Sequence, residues 1–450
     1  MSEPIGRVSS GSAGETRIRR VRRSLRRASR AARRATTYPS GGRPPTPVRP
    51  TIYSRPPVLY TPPVHLTVLL HGDPRAPQQA RLGAALASRG HRVILCDAPG
   101  VAAAIRREHG QRCEELTLLS SVAAIPQPLR RLWAKRRARE LGVDVVHLNF
   151  LRPWHDLWST MRGGPPILAT AWGSDINDDV FQKTRRTTRR LDHVLSRAAA
   201  VSADSVPLLS RAKARMGARA AAVPSRIVLW GVDLETFDRQ KSLDGAARFR
   251  RALGIEPGQR VLLSPRQTKP HYHPDRILRA FAASRWAREG VLVIKLHGRP
   301  EEVPCKEALR ALAGELGVGA SVRFADPCPY SELRGLYAMA DAAVSLLEAD
   351  GVPSTFCELA ALGVPIVASD LPAYEGVLQH DERALLVPPR DHGALVAALD
   401  RLIDEPDLAP RLAERGRAWA LEHADWQRCV DQFEALYRAA MACSIALSRG

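Results

Sequence analysis

The sequence predicts an α/β protein with two doubly wound parallel sheets in tandem. Short apolar, β-branched runs alternate with stretches of helical spacing, beginning with VHLTVLL at 64–70 and HRVILC at 91–96. Runs that are apolar throughout and separated by helices are typical of parallel strands covered on both faces. The alternation pauses near 227–237 and then restarts, so the 450 residues are expected to form two such units rather than one large core.

The strands of each unit follow in order. Further strands of the first unit are predicted at VDVVHL (143–148), PILATA (166–171) and AAAVSA (198–203). Those of the second unit are predicted at VLLS (261–264), VLVIKL (291–296), SVRFA (321–325), AAVSLL (342–347), PIVAS (365–369) and ALLVP (384–388). From about Asp391 the pattern is helical. Ligands of open parallel sheets bind at the carboxyl ends of the strands, so two facing sheets predict a cleft where two substrates meet.

The charge of the chain is strongly basic. It has 67 Lys and Arg against 46 Asp and Glu, a net charge of +21, and much of the excess lies in pairs such as Arg19-Arg20 and Arg33-Arg34. We expect residues 1–63 to form a disordered leader, rich in Arg, Ser, Gly and Pro, that either stays solvated or contacts acidic lipid or another polyanion. An anionic membrane surface is the partner expected in the second case.

The sequence shows no sign of a secretory or membrane-spanning segment. It has no apolar run of about 18 residues or more, and its N-terminus lacks an apolar stretch before a cleavage site. The seven cysteines are scattered and include no C-x-x-C pair, which disfavours a disulfide framework or a structural zinc site. The expectation is a cytoplasmic protein, peripheral at the inner face of the membrane if the leader binds lipid. No Asp-x-Asp motif stands at a strand end, so neither a metal nor a cofactor is expected.

The stretch LLEADGVPSTFCELAALGVPIVASD at 346–370 carries the clearest chemistry. A buried strand is followed by a loop and then by a helix, predicted from near Ser354 to Gly363 with Ser354 or Thr355 as its N-cap. Free N–H groups and the dipole at the helix start form a site for a diphosphate. Asp350 and Glu358 are separated by seven residues. Carboxylates so placed can accept hydrogen bonds from sugar and ribose hydroxyls.

The loop after the strand VLLS supplies cations. Arg266 and Lys269 follow this strand before the next predicted helix. Fixed cations at that place can bind and stabilise a diphosphate. For Lys269, a solvated loop lysine is an equal alternative.

These stretches resemble the retaining family 4 glycosyltransferases of the GT-B fold. The signature of that family has two glutamates flanking seven residues before an Ala-rich, Gly-Pro-ending helix, and Asp350 stands here at the place of the first glutamate. The resemblance implies that Glu358 holds the nucleotide ribose, that Asp350 holds the donor sugar, and that Arg266 and Lys269 bind the diphosphate. The loop and helix start would complete the donor site with Gly351, Val352, Pro353, Ser354 and Thr355.

The acceptor half of the resemblance is carried by ILATAWGSDIND at 167–178. Trp172 would stack on a sugar face, and Asp175 would either orient an acceptor hydroxyl as a catalytic residue or cap the next helix. His147 is as consistent with a core histidine as with a ligand. In the first loop, Gly72 stands where relatives often have a Gly-Gly pair.

The resemblance covers 64 to about 441 and implies the domain bounds. These are an acceptor domain at 64–230, a nucleotide-sugar donor domain at 231–424, and a helix at 425–450 that packs back on the first domain. The two Rossmann-like domains would face each other across a cleft. The implied function is transfer of a sugar from a UDP- or GDP-linked donor to a hydroxyl acceptor with retention. The acceptor classes left open are saccharides, glycolipids and small molecules.

Two other functions are compatible with the sequence. The first is a nucleotide-sugar epimerase or a phosphorylase of the same fold. An epimerase would need no acceptor, and a phosphorylase would need a pyridoxal lysine, for which the sequence shows no convincing site. A polyanion- or membrane-surface-binding protein would act through the Arg-rich leader on an inactive GT-B scaffold, with strongly salt-dependent binding. Nucleic acid is the less favoured partner, because the predicted folded part shows no basic surface interleaved with aromatic residues.

Overall fold

The computed structural model of the chain describes residues 65–73, 76–117, 126–159, 163–177 and 184–449. The predicted leader at 1–63 therefore lies outside the described residues. In the described residues, the strands form two separate parallel sheets, each flanked by helices. The prediction of two doubly wound parallel sheets in tandem is confirmed.

The first sheet has seven strands among the described residues, in the order β3-β2-β1-β4-β5-β6-β7, and all pairs are parallel. The strands are β1 (Thr67–His71), β2 (Arg92–Cys96), β3 (Cys113–Leu116), β4 (Val145–Asn149), β5 (Ile167–Ala171), β6 (Ala200–Ala203) and β7 (Ser225–Ile227). The helices are α1 (Pro77–Ser88), α2 (Pro99–His109), α3 (Gln127–Glu140), α4 (Asp156–Ser159), α5 (Arg185–Arg197) and α6 (Val206–Met216). The strand order reverses between β1 and β4, which opens a crevice at their carboxyl ends.

The second sheet has six strands among the described residues, in the order β10-β9-β8-β11-β12-β13. The strands are β8 (Arg260–Ser264), β9 (Gly290–Lys295), β10 (Val322–Ala325), β11 (Ala342–Ser345), β12 (Ile366–Ser369) and β13 (Leu385–Val387). The helices are α7 (Leu243–Ala252), α8 (Pro274–Ala283), α9 (Trp286–Glu289), α10 (Val303–Glu315), α11 (Leu333–Ala338), α12 (Ser354–Leu362), α13 (His392–Asp404), α14 (Leu408–His423) and α15 (Trp426–Arg449). Here the strand order reverses between β8 and β11.

The core lies on both faces of each sheet. In β8, Val261 and Leu263 belong to one apolar cluster and Leu262 to another, and all three side chains are fully buried. Successive side chains of a strand point to opposite faces, so a strand covered on both sides must be apolar throughout. Each such Val or Leu contributes about 1.5–3 kcal/mol by its burial. This requirement explains the unbroken apolar runs of the sequence.

Two chain segments run side by side between the sheets. The Val232 N–H donates to the Ala424 carbonyl at 2.7 Å, and the Trp426 N–H donates to the Val232 carbonyl at 3.0 Å. A Cβ atom on Gly231 would lie 2.6 Å from the Ala424 oxygen, so only glycine allows this approach. The second of these segments leads into α15.

Helix α15 packs against the first sheet. Its Phe433 and Tyr437 are fully buried in the cluster that holds Val68 and Leu70 of β1. The domain bounds at 64–230, 231–424 and 425–450 stay predictions. Among the described residues, no helix combines the length and the apolar character that crossing a membrane requires.

Candidate functional site

The candidate site lies where the strand order of the second sheet reverses. The loop after β8 carries Arg266 and the loop after β11 carries Asp350, and the structure joins them as an ion pair with Nη1 and Oδ2 2.9 Å apart. Their side chains are only 13% and 15% exposed. The Tyr374 hydroxyl donates to the same carboxylate oxygen at 3.2 Å, and the Arg266 guanidinium lies 4.8 Å from the centre of the Tyr272 ring. Two of the sequence-predicted residues are therefore brought together.

The charge state of this pair follows from its surroundings. Burial alone would lower the pKa of Arg266, but Asp350, Tyr272 and Tyr374 outweigh burial and raise this pKa above its ordinary value. Burial and the Asp350 charge raise the pKa of Tyr374, so its hydroxyl keeps the proton that it donates. The site thus holds a permanent cation in a fixed position, which can bind a diphosphate.

The start of α12 differs from the prediction in one detail. The N-cap residue is Pro353 rather than Ser354 or Thr355, so the prediction of a hydroxyl N-cap is wrong. Ser354 is the first helical residue, and its hydroxyl accepts a hydrogen bond from Gln78 Nε2 of α1 at 3.3 Å. A proline N-cap has no side-chain acceptor for the first N–H groups of the helix. The positive end of α12 therefore suits an anion.

Glu358 lies one turn into α12 and is 3% exposed. Its carboxylate accepts a hydrogen bond from the Tyr330 hydroxyl at 3.0 Å. Burial raises the pKa of Glu358, while Arg81, Tyr330 and Lys295 act in the opposite direction. Arg81 belongs to α1 of the first half, and its guanidinium lies 5.1 Å from the centre of the Tyr330 ring. The predicted ribose-binding carboxylate is thus covered by Tyr330 and faces a cation from the other half of the molecule.

Two lysines occupy different positions near the loops after β8 and β11, which carry Arg266 and Asp350 and are called the donor loops below. Lys269, predicted to bind the diphosphate, lies 3.5 Å from Glu301 in a pair that is 27% and 52% exposed. This is the surface arrangement that the sequence left open as an alternative. Lys295 at the end of β9 was not predicted as a site residue, although a lone lysine in an apolar strand was a usable signal. It is 6% exposed, its ammonium lies 2.8 Å from His297 Nε2, and burial lowers its pKa to about 8.

A buried carboxylate joins the two loops that flank Lys295. Glu302 is 3% exposed and accepts hydrogen bonds from the Thr268 N–H at 3.0 Å and the His297 N–H at 2.8 Å. Thr268 lies in the Arg266 loop, and His297 lies in the loop after β9. Through these two hydrogen bonds, Glu302 ties the Arg266 loop to the loop after β9.

Asp175 lies after β5 of the first sheet and is 2% exposed. Its carboxylate accepts hydrogen bonds from the N–H groups of Trp172 at 3.0 Å, Gly173 at 2.8 Å and Leu151 at 2.9 Å. These contacts hold two loops at the carboxyl edge together, so Asp175 shapes the loops in this structure. Its role toward an acceptor stays a prediction.

Aromatic side chains collect beside Asp175. The Trp172 ring lies 5.4 Å from the Phe150 ring, and its Nε1 donates to Asn149 at 2.7 Å. Phe150 has a φ of 59°, a left-handed conformation that is unusual for a bulky residue. Strain of this kind concentrates at functional sites.

The two halves of the molecule touch at a pair of glycines. A Cβ atom on Gly351 would lie 2.5 Å from the Trp172 carbonyl oxygen and 2.6 Å from Asp204 Oδ1. Gly173 has a φ of 130°, and a Cβ atom on Gly173 would lie 2.9 Å from the Gly351 nitrogen. Only glycine fits at this junction. The loop after β11 is thus pressed against the loops after β5 and β6.

Asp204 at this junction was not predicted. It is 3% exposed, and burial raises its pKa well above the ordinary value, partly offset by a hydrogen bond from the Val352 N–H. Asp350 and Asp175 raise this pKa further. Its Oδ1 is buried and has no hydrogen-bond partner among the described residues. Three carboxyl groups and Arg266 therefore meet where the two halves join.

Three histidines of the first half are buried, and burial lowers the pKa of each, so all three are neutral. His147 lies between the hydroxyls of Tyr437 at 2.9 Å and Thr170 at 2.7 Å, and burial lowers its pKa to about 3. It is the core histidine that the sequence left open. His71 Nδ1 accepts a hydrogen bond from Trp158 at 2.9 Å, and His155 Nδ1 accepts one from the Arg152 N–H at 3.1 Å. Both rings therefore carry their proton on Nε2.

Two family models match the chain. The model described as Glycosyltransferase Family 4 matches residues 79–236, and the one described as Glycosyl transferases group 1 matches residues 246–419. Together they cover the strands of both sheets almost completely. Among the described residues, no group of three or more His, Cys, Asp or Glu is placed to hold a metal ion.

Curated relatives are similar over part of their length. D-inositol 3-phosphate glycosyltransferase of Thermomonospora curvata is 33% identical over 224 residues, which are 48% of this chain and 51% of the relative. GDP-mannose-dependent alpha-(1-6)-phosphatidylinositol monomannoside mannosyltransferase of Mycolicibacterium smegmatis is 25% identical over 315 residues, which are 67% of this chain and 78% of the relative. The chain spans about half the length of the first curated relatives that it matches.

Solved structures share the fold. Anabaena Alr3699/HepE in complex with UDP and glucose aligns with a TM-score of 0.69 at 15% identity, over 82% of this chain and 99% of that one. Sucrose-phosphate synthase of Thermosynechococcus elongatus aligns with a TM-score of 0.66 at 20% identity, over 84% of this chain and 100% of that one. At these identities the likeness concerns the arrangement of the two sheets.

Proposed function

Since the chain belongs to the group 1 glycosyl transferases of family 4 and has their GT-B fold, we propose that it transfers a sugar from a nucleotide-diphosphate sugar to an acceptor hydroxyl with retention. The donor is UDP- or GDP-linked. The observation that carries the proposal is the buried Arg266–Asp350 pair, which lies at the strand-order reversal, with Asp350 on the loop that leads into α12.

The donor site is built from the second sheet. The diphosphate would lie between Arg266 and the first N–H groups of α12, where a cation and a helix dipole both favour negative charge. Each hydrogen bond from a charged group contributes about 1.5–3 kcal/mol. The ribose would bind Glu358 in place of the Tyr330 hydroxyl. The donor sugar would then extend along the Gly351 loop toward Asp350 and the first sheet.

The reaction replaces one bond of the sugar C1 atom. The bond between C1 and the leaving phosphate oxygen breaks, and a bond forms between C1 and the acceptor oxygen on the same face. The acceptor proton passes to the leaving phosphate oxygen. Arg266 and the α12 dipole stabilise the charge that develops on the diphosphate, an effect of about 10²–10³ in rate for one well-placed donor group. No separate general base is then required.

The acceptor would approach from the carboxyl edge of the first sheet. Phe150 and Trp172 offer aromatic faces there, and aromatic faces stack on sugar and cyclitol rings. The printed names of two relatives contain inositol 3-phosphate and phosphatidylinositol monomannoside. Phosphorylated cyclitols and their lipids are therefore the first acceptors to try within the wider class of saccharides, glycolipids and small polyols.

A product assay tests this function. The full chain is incubated with UDP-glucose or GDP-mannose and a panel of cyclitol and sugar acceptors, and released UDP or GDP is measured. We expect acceptor-dependent release and a product whose anomeric NMR coupling matches that of the donor. Because Arg266 and α12 supply the positive charge, a parallel reaction with EDTA is expected to keep its rate. Release of free sugar or an isomer without any acceptor would favour the epimerase instead.

The proposed location is the cytoplasm, with the chain at the inner face of the membrane through its Arg-rich leader. Each Lys or Arg near an anionic membrane contributes about 1 kcal/mol to binding. The chain with and without residues 1–50 is therefore sedimented with liposomes that contain or lack phosphatidylserine. We expect binding only of the full chain to anionic liposomes, and equal binding by the truncated chain would contradict the proposal.

A further inference from the structure

A cavity opens at the carboxyl edge of the second sheet, beside the donor loops. It has a volume of about 200 Å³ and lies over the ends of β11, β12 and β13, between α8 and α13. Its floor is apolar and includes Leu346, Val387 and Leu395, which are 7%, 3% and 2% exposed. At about 30 Å³ per water molecule, the space corresponds to about seven waters. A small molecule of several heavy atoms fits in it.

The rim of this cavity is cationic. It is lined by five basic side chains, namely His273, Arg276, Arg279, Arg390 and His392. Asp391 also lines it, but one of its oxygens accepts a hydrogen bond from the Ala394 N–H and so caps α13. The α8 helix begins at Pro274 without a side-chain cap, so its positive end adds to the same field.

One carboxylate of the chain already shows what this rim binds. Glu348 Oε1 accepts a hydrogen bond from Arg390 Nε at 2.6 Å, and the same carboxylate also contacts Arg390 Nη2. It lies 3.7 Å from both Arg276 Nη2 and His273 Nε2. Three basic groups from two elements thus converge on one anionic group. Phosphate oxygens make the same charge-assisted contacts and carry more charge than a carboxylate.

The backbone is strained at two of these rim residues. His273 has a φ of 48° and Arg390 a φ of 72°, and they are two of five non-glycine residues with positive φ among the described residues. Neither position is a glycine that would adopt this conformation freely. Strained residues cluster at ligand-binding sites, and here both line one rim, where Arg390 supplies a cation and His273 a ring N–H group.

We propose that this cavity, rimmed by Arg276, Arg279 and Arg390, binds a small phosphomonoester at a site separate from the donor site. The phosphate displaces Glu348 from Arg276 and Arg390, and the organic part lies on the apolar floor. The site shares its walls with the donor loops: His273 ends the loop that carries Arg266, and Glu348 lies two residues before Asp350. The cavity therefore adjoins both loops that position the donor pair, since His273, Leu346 and Leu347 line it.

Isothermal titration of the full chain with glycerol 3-phosphate tests the site, with glycerol and inorganic phosphate as the other probes. Wild-type protein is expected to bind glycerol 3-phosphate more tightly than inorganic phosphate and not to bind glycerol. Arg276→Ala should weaken binding about tenfold or more, because it removes one charge-assisted contact. The matched control is Arg310→Ala, an exposed arginine of α10 beside Glu307, which should leave binding unchanged.

Two further variants distinguish a phosphate site from a cluster of ion pairs that only stabilises the fold. Glu348→Gln removes the internal competitor and should tighten glycerol 3-phosphate binding severalfold. Arg266→Ala should leave it unchanged, because Arg266 lies in the donor site. Absence of binding by both wild type and Glu348→Gln would overturn the proposal. Loss of binding in Arg266→Ala would also overturn it, since the phosphate would then occupy the donor site.

Discussion

At the scale of single residues, the site depends on buried charged groups, for which the loss of one partner is costly in free energy. Arg266 and Asp350 stand 84 residues apart in the chain and meet as a largely buried pair. Removal of one partner from a buried ion pair leaves an uncompensated charge, which costs about 3–5 kcal/mol. Such a pair is costly to keep for stability alone. Its position at a strand-order reversal is better explained by ligand binding.

Gly351 offers the sharpest steric prediction. In Gly351→Ala the new Cβ would lie within 2.6 Å of Asp204 and the Trp172 carbonyl, so the two halves could no longer meet at this point. We expect the free energy of unfolding to fall by about 1–3 kcal/mol, as in other overpacked sites, and donor turnover to fall with it. Chemical denaturation and release of the nucleoside diphosphate measure the two effects.

The control for this change is Gly314→Ala. Gly314 lies within α10, and a Cβ atom there would meet nothing within 4 Å. Alanine should stabilise the helix by about 0.5–1 kcal/mol and leave turnover unchanged. Equal turnover by the Gly351→Ala variant and the wild type would show that the junction is not needed for the reaction.

Asp204 predicts a dependence on pH. Burial raises its folded-state pKa well above the ordinary value, so the folded state holds a proton that the unfolded state releases. The contribution to stability is therefore present at low pH and is lost as pH rises through the folded-state pKa. Asp204→Asn removes this loss. Relative to wild type, the variant should gain unfolding free energy as the pH rises above about 4, the ordinary pKa of an aspartate in the unfolded chain.

Denaturation curves at several pH values measure this gain. Asp326→Asn, at an exposed position of the loop after β10, is the matched control and should follow wild type throughout. A constant difference between Asp204→Asn and wild type at every pH would mean that Asp204 does not change its protonation on unfolding.

At the scale of elements, most strands could be predicted because the sheets are buried on both faces. The runs VLLS and VLVIKL correspond to β8 and β9 within one or two residues. Strand β3 could not be predicted from its sequence CEEL, since it lies at the edge of its sheet and carries two glutamates. Glu114 is held there by Arg92 of β2, with Arg92 Nε donating at 2.8 Å. A contact between strands, rather than local propensity, sets this element.

Helix α15 gives a prediction at the same scale. Phe433 is fully buried between this helix and the first sheet. Phe433→Ala should lower the free energy of unfolding by about 3–5 kcal/mol, because it removes buried area and leaves a cavity. Leu421→Ala in α14, where the side chain is 41% exposed, should cost far less. Urea denaturation measures both, and equal losses would show that α15 does not belong to the core.

At the scale of the whole molecule, the site forms where the carboxyl edges of two sheets meet. Local sequence indicated the parts that lie within one strand-loop-helix unit, namely Asp350, Glu358 and the start of α12. It could not indicate Asp204, Tyr330 or Tyr374, because these reach the site only through folding. Asp204 meets the Val352 N–H from the other half of the molecule. Long-range contacts of this kind leave no spacing that a single sequence reveals.

The positions of the two lysines near the donor loops, Lys269 and Lys295, also depend on the fold. Lys269 was predicted because it follows Arg266 in the loop after β8, where the family has an Arg and a Lys, and it lies beside the partly exposed Glu301. Lys295 comes from a neighbouring strand and is buried near Glu358. Lys295 lies near the Arg266 loop because β9 is next to β8 in the sheet.

Thermal unfolding with UDP and GDP tests most directly whether a nucleotide binds at Arg266, the start of α12 and Glu358. At about 100 times its dissociation constant a ligand stabilises by about 2.7 kcal/mol, which corresponds to about 5–10 °C in Tm for each domain of this size. We expect one nucleotide to raise the Tm of wild type and of Arg310→Ala by this amount. Arg266→Ala and Glu358→Ala, each compared with its own unliganded Tm, should lose the shift. Absence of a shift with either nucleotide, or a full shift in both variants, would contradict the account.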